Sequence, residues 1–462
     1  MNFEENIAYL ENALGVGTSF DILSRKVEIG GRKAVYFCID GFSKDELMQK
    51  LLQYFMDKKP EDVPSTVKEF VTTLLPYGEV GTETELDKVL TNILSGVFAL
   101  WIDGYDECIL IDSRTYPARS VSEPDKDKTL RGSKDGFVET IVFNTALLRR
   151  RIRSTDLRIQ MKQAGESSQT DIAVCYMENR VDQEFLQSVL ERIENIQVDA
   201  LTMNQESLAE CLFPHKWFNP FPKFKFTERP DVCAAQVLEG NIIVMVDNSP
   251  FAMILPVSFF DVLEEADDYY FPPITGTYLR ISRTIILIGT FFLTPTFLLL
   301  MEYPQWIPEQ LAFIMVKETV NVPLVLQLLL LELAVDGLRL AAVNTPNMLS
   351  TPFSVLAGMV LGEFSVKSGW FNAECMLYMA FVSLATYTQA NYEFGYALKF
   401  FRIISLILTA AFGWIGYIAG ILFLFLSIIC NRMVSGKSYL YPILPFSWKK
   451  VKDRLIRRRL KR

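Results

Sequence analysis

A single histidine, His215, occurs in 462 residues, and no C-x-x-C pair or Cys/His cluster accompanies it. Metal ligation needs several converging N or S donors, and general-base catalysis most often uses an imidazole, so both lose their usual carriers. His215, in Phe213-Pro214-His215-Lys216-Trp217, reads as a surface loop residue. No third glycine or Lys-Ser/Thr pair completes Gly15-Val16-Gly17, which excludes a nucleotide loop. The seven cysteines, Cys38, Cys108, Cys175, Cys211, Cys233, Cys375 and Cys430, are scattered and read as reduced, buried, small apolar residues. The first residues, Met1-Asn2-Phe3-Glu4-Glu5, have neither the basic nor the apolar part of a signal peptide, so the first stretch is expected on the cytoplasmic side. A net charge of -8 argues against a nucleic-acid partner. No catalytic residue, no cofactor and no metal is expected, and acidic runs such as Glu264-Glu265-Ala266-Asp267-Asp268 read as solvated surface.

What is present is a division of character. Mean hydropathy is positive, at +0.20, although 22% of residues are charged, a combination expected of a soluble part joined to a lipid-embedded part. Over the first 275 residues, short runs rich in β-formers alternate with amphipathic stretches, the pattern of an α/β region. Strands are expected at 34–40, 97–103, 107–112, 172–176, 242–247 and 251–255, and helices at 44–56 and 182–196. The basic run Arg149-Arg150-Arg151-Ile152-Arg153 suggests a division into subdomains 1–153 and 154–275, and no internal repeat is evident. A transmembrane helix bundle over 276–436 and a basic tail over 437–462 complete the expected order.

The bundle begins after the turn-forming Phe271-Pro272-Pro273-Ile274-Thr275-Gly276. Residues 284–301 carry no charge, enough to cross most of a hydrocarbon core of about 30 Å. Arg280 and Arg283 precede this run and Glu302 and Glu309 follow it, which places its N-terminal end in the cytoplasm. Further apolar stretches lie at 322–343, 352–366, 371–390 and 403–430. The last holds Gly413, Gly416 and Gly420 between basic flanks, and fits either a re-entrant hairpin or one tilted helix. The tail has nine basic residues against one acidic from Lys449 onward, expected beside anionic lipid headgroups on the cytoplasmic side.

Within the bundle, Glu332, Asp336 and Arg339 recur at spacings of four and three, so they share one helix face. Isolated charges there would cost about 2.5 to 3.5 kcal/mol each, so the face should look into the bundle or a hydrated path. Arg339 is the expected neutralising partner, and Glu363 sits similarly in an apolar setting. Pore lining and structural ion pairing between helices both fit. Gly358 with Gly362, and Gly416 with Gly420, allow close helix approach within one subunit or between subunits.

Two blocks carry a family resemblance. Glu123-Pro124, Arg131-Gly132, Gly136-Phe137, Glu139, Asn144 and Arg149 to Arg151 form the first; Glu228-Arg229-Pro230-Asp231, Leu238, Gly240, Val246-Asp247 and Pro250 form the second. With Glu332, Asp336, Arg339, Leu361-Gly362-Glu363 and Tyr392 to Arg402 in order, the chain resembles the bacterial spore germinant-receptor A-subunit family. Asp40 to Glu46 and Asn344-Thr345-Pro346 resemble its stage V sporulation AF branch, while Gln327 stands where receptor subunits commonly show Glu. The resemblance implies a spore inner-membrane protein acting in germination. It implies a homo-oligomeric ion channel that releases ions and amplifies the receptor response, beside a polytopic partner subunit and germinant-receptor complexes. A non-conducting structural or signalling subunit is the alternative.

Overall fold

The computed structural model describes residues 3–456 apart from 20, 41, 43, 44, 116–118, 125, 126, 214–218, 319 and 390. His215 and the last six basic-tail positions lie outside the described residues. The chain divides into two compact units, 1–119 and 120–462.

In the first unit, α1 (Phe3–Leu14) leads into β1 (Ile22–Ile29) and β2 (Arg32–Ile39), joined by Gly30-Gly31. Both glycines have positive φ, 54° and 75°, as a two-residue hairpin turn requires. There follow α2 (Asp45–Met56), β3 (Val80–Glu83), α3 (Leu86–Leu94), β4 (Phe98–Ile102) and β5 (Cys108–Ile111). The strands pair antiparallel in the order β1-β2-β4-β5-β3. Alternate residues of β2 and β4 point to opposite faces, so Val35, Phe37 and Trp101 join one core and Tyr36, Leu100 and Ile102 the other.

The second unit repeats this plan. Helix α4 (Ile141–Arg151) precedes the hairpin β6 (Leu157–Ala164) and β7 (Thr170–Met177); α5 (Gln183–Glu194) and α6 (Gln205–Leu212) follow. Then come β8 (Lys225–Thr227), α7 (Pro230–Glu239), β9 (Ile242–Val246) and β10 (Ala252–Leu255). The order β6-β7-β9-β10-β8 matches the first sheet strand for strand. The two modules are thus structural copies, a repeat not evident from sequence.

The expected strands are the inner ones, β2, β4, β5, β7, β9 and β10. The four missed, β1, β3, β6 and β8, are the four sheet edges. An edge strand buries little: β1 keeps only its end residues fully buried. The expected boundary near 153 also moves. Ile141, Leu148 and Ile152 belong to the core of the second sheet, so α4 opens the second module.

Short helices α8 (Phe259–Leu263) and α9 (Asp267–Tyr270) lead into the bundle. It comprises α10 (Pro273–Glu302), α11 (Leu324–Asn344), α12 (Asn347–Gly358, continued by a π-helical turn, Met359–Phe364, and Ser365–Lys367), α13 (Ala373–Thr386) and α14 (Tyr392–Ile429). Among the described residues, α10 and α14 are long and apolar enough to cross a membrane by length and composition. Helix α11 has the length, but Glu332, Asp336 and Arg339 interrupt its apolar run.

Helix α14 is a hairpin. Gly413 breaks it at φ 58°, and a Cβ there would lie 2.5 Å from the Tyr303 hydroxyl, at the far end of α10. The arms then press together so closely that a Cβ on Gly416 would collide with the Leu408 carbonyl oxygen, and one on Gly420 would lie 2.9 Å from the Ser405 Cα. Gly416 and Gly420 are therefore a seam within one chain. Gly358 and Gly362 face open space. At 1.5 Å per residue the first arm, 392–412, reaches about 31 Å, enough for a hydrocarbon core.

The bundle and the second module share one apolar core. Phe221 stacks on Phe401 at 5.3 Å between ring centroids and lies 6.2 Å from Phe394; Phe259 and Tyr439 close the same cluster. The C-terminal helix α15 (Trp448–Leu455) packs near the start of α10.

Candidate functional site: charge clusters of the helix bundle

Helix α11 carries Glu332, Asp336 and Arg339 at helical spacing, and α14 carries Lys399 and Arg402 three apart. Arg402 donates through Nε and Nη2 to the two Glu332 oxygens at 2.6 and 2.9 Å, and through Nη1 to the Thr290 carbonyl at 2.9 Å. Lys399 Nζ lies 3.3 Å from Glu332 and 2.5 Å from Asp336, and donates to the Glu332 carbonyl at 3.1 Å. This satisfies the condition for keeping charge at depth, a paired and hydrogen-bonded geometry. One ion-pair group ties α10, α11 and α14 together.

Within the group, exposure differs sharply. The Glu332 side chain is 4% exposed, that of Asp336 32%. Arg339 does not neutralise either acid, contrary to the expectation from spacing. Its guanidinium lies over the rings of Tyr387 at 4.9 Å and Tyr396 at 5.3 Å, and α14 supplies the countercharges instead. Lys399 and Arg402 look in the sequence like flanks of an apolar run, and no spacing links them to α11. Glu363 is exposed on the π-helical turn and pairs with Lys367 one turn on.

Gln327 is buried one turn below this group. It donates to the Asn372 side-chain oxygen at 2.7 Å and accepts from the Asn372 backbone N–H at 2.8 Å. A carboxylate could not donate there.

A second cluster stands where α10 leaves the module. Asp268 is fully buried between Arg280, at 3.3 Å, and Arg283, at 3.0 Å; Arg283 also pairs with Glu265 at 2.6 Å. Arg454 of α15 binds Asp261 at 2.6 Å and Glu264 at 3.0 Å. Burial pushes the Glu265 carboxyl above its ordinary range, against the opposing effect of Arg283. Burial likewise lowers the Lys225 ammonium, which donates to the carbonyls of Asp261 and Glu264 at 2.8 and 2.7 Å. The acidic run expected as solvated surface is thus an internal counter-ion for the arginines that mark the start of α10. Among the described residues, no group of three or more His, Cys, Asp or Glu could hold a metal.

The two family blocks meet in space. Arg229 donates to the Asp231 carboxylate at 2.6 Å, to the Thr129 hydroxyl at 2.9 Å and to the Ser133 carbonyl at 3.2 Å. Tyr270, at the end of α9, donates to the same Asp231. A Cβ on Gly132, whose φ is 121°, would collide with the Tyr270 ring, so only glycine lets the chain pass there. Gly136 also passes tightly, a Cβ there lying 2.9 Å from the Ser122 carbonyl oxygen, beside the buried Pro124. Phe137 N–H bonds the Glu228 carbonyl at 2.8 Å, and Asn248 N–H the Glu139 carbonyl at 2.9 Å. Pro230 occupies the first turn of α7, where its missing N–H costs nothing. Glu123 pairs with Lys134 at 2.6 Å, while Arg131 is exposed. These residues fasten the strap at 120–140 to the second sheet and to the root of the bundle, a structural joint.

The family model described as Bacillus/Clostridium GerA spore germination protein matches residues 8–462. Stage V sporulation protein AF of Bacillus subtilis (strain 168) is 36% identical over 99% of this chain and 92% of its own. Spore germination protein KA of the same organism is 28% identical over 98% and 84%, and spore germination protein A1 is 30% identical over 80% and 77%. A crystal structure of the N-terminal domain of the A subunit of the Bacillus megaterium spore germinant receptor GerK3 matches at 26% identity, covering 55% of this chain and 94% of that one, with a TM-score of 0.22. The chain, with its paired α/β modules and helical bundle, belongs to the GerA family of spore germination proteins.

Proposed function

We propose that this chain is a membrane subunit of the germination apparatus that assembles with copies of itself and passes ions when germination begins, amplifying the response of germinant receptors. The observation that carries the reading is the unequal exposure within the bundle's ion-pair group. Glu332 is locked between Arg402 and Lys399, whereas the Asp336 carboxylate reaches an accessible face while holding Lys399. A ring of subunits would repeat that carboxylate around one axis, as acidic rings do in cation channels. The core shared around Phe221 offers a mechanical link from the second module to the same helices.

In this reading the bundle sits in the spore inner membrane with both termini on the cytoplasmic side. A polytopic partner subunit and germinant-receptor complexes are its neighbours. Exposed Lys449, Lys450 and Lys452 of α15 contact anionic lipid, while Arg454 holds the helix on the second module. Catalysis has no part in it.

The closure of the Glu332 group inside one chain favours a second reading, a non-conducting structural or signalling subunit. Ion flux through liposomes containing the purified protein separates the two: flux that scales with oligomer abundance supports conduction, and vesicles as tight as protein-free ones support the alternative.

A further inference from the structure

Helices α11, α12 and α13 enclose an open groove of about 560 Å³, within the range of single-ligand sites. Its walls are apolar or small, among them Leu331, Leu338, Gly358, Leu361 and Met376. Among the described lining residues, Arg339 is the one ion. The charge count of the neighbouring group leaves it over: three cations, Arg339, Lys399 and Arg402, face two carboxylates, and both carboxylates are held by Lys399 and Arg402. Its Nε is buried without a hydrogen-bond acceptor.

The position of this cation along the groove is also informative. The groove follows α11 from Leu331 to Ala342, about 16 Å at 1.5 Å per residue, with Arg339 toward one end. There it lies between Tyr387 and Tyr396, residues of the type that settles at headgroup depth. That end is also the one nearest the α/β module, since Phe394, at the start of α14, packs on Phe221. Both tyrosines contact Arg339 but neither offers it a negative charge. An elongated apolar slot with one cation that lacks a carboxylate partner, at headgroup depth, fits a molecule with an anionic head and a hydrocarbon tail.

We infer that the groove holds one acyl chain of an anionic phospholipid whose phosphate pairs with Arg339. The inference rests on the membrane placement of the bundle, not on conduction. Incorporation of the chain into lipid nanodiscs reads that placement separately.

The experiment uses the full chain in phosphatidylcholine nanodiscs doped with phosphatidylglycerol bearing a photoreactive acyl chain, with the matching phosphatidylcholine probe as control. Adducts should map to α11 and α13 peptides lining the groove and favour the anionic probe. Arg339→Gln should reduce them about tenfold, the loss of one charge-assisted contact, and Arg339→Lys should restore most of the labelling. Gly358→Leu, which adds a side chain into open space, should block the slot without unfolding the helix. Equal labelling by both probes, or labelling indifferent to Arg339→Gln and Gly358→Leu, overturns the proposal. So does a Gly358→Cys variant that cross-links copy to copy without excluding lipid labelling elsewhere, because a second subunit then fills the groove.

Discussion

Arg402 grips both oxygens of Glu332 across 70 residues of sequence, at 2.6 and 2.9 Å, from a helix that also donates to the Thr290 carbonyl. Removing Arg402 leaves Glu332 with Lys399 alone, at 3.3 Å, and removing Glu332 leaves Arg402 charged without a carboxylate at depth. Arg402→Gln should therefore cost about 3 to 5 kcal/mol, whereas Glu332→Gln with Arg402→Gln together should cost less than the sum of the two single changes. Thermal unfolding in detergent, run as a double-mutant cycle, measures this coupling. Additive single effects would remove the pair from the account.

Gln327 and Asn372 form a reciprocal amide pair that needs both a donor and an acceptor on each side. Gln327→Glu replaces the donor by a carboxylate facing the Asn372 oxygen. Destabilisation of about 1 to 3 kcal/mol is expected from the unsatisfied buried group, measured as a lowered unfolding midpoint. An unchanged midpoint would show that the amide pair contributes nothing.

The glycines of the bundle should separate into two classes. Gly420→Leu drives a side chain into Ser405 of the opposite arm and should abolish the folded protein. Gly358→Leu meets open space and should accumulate near wild-type levels. Abundance in membranes, read by immunoblot, tests the contrast, and equal abundance of the two variants would contradict the hairpin seam.

Much of the architecture is readable before any coordinates. Inner strands announce themselves as runs such as Ile242–Val246, buried on both faces, while edge strands such as Lys225–Thr227 carry no such run and pass unnoticed. The duplication is hidden for the same reason: burial pattern, not identity, is what the two modules share. Glu332 and Asp336 stand out because charge in an apolar helix is costly, but spacing ranks only neighbours on the same helix, and it selects Arg339. Lys399 and Arg402 come from a helix packed across the bundle, and only packing reveals them. The loop between 264 and 268 is misread as solvated for the mirror-image reason, since its partners Arg280 and Arg283 look like membrane-flanking charges.

Acid should weaken the joint of the second module in a defined window. Burial alone would raise the Asp135 carboxyl, but the Ser133 hydroxyl and Arg151 outweigh it and hold it below the ordinary 3.8. The unfolded chain then binds more protons than the folded one, so this contribution is fully present above about 3.8 and lost as pH falls through the folded value. In acid unfolding monitored by tryptophan fluorescence, wild type should exceed Asp135→Asn in stability at neutral pH, and the difference should shrink below that point. A difference independent of pH would exclude the Asp135 charge as its source.

The most direct test of conduction is cation flux per oligomer in liposomes for wild type and Asp336→Asn. The substitution removes the accessible carboxylate while leaving the Glu332–Arg402 pair in place. Normal assembly with flux reduced several-fold, or with altered cation selectivity, is the predicted result; unchanged flux and selectivity per oligomer would contradict the assignment of Asp336 to an ion path.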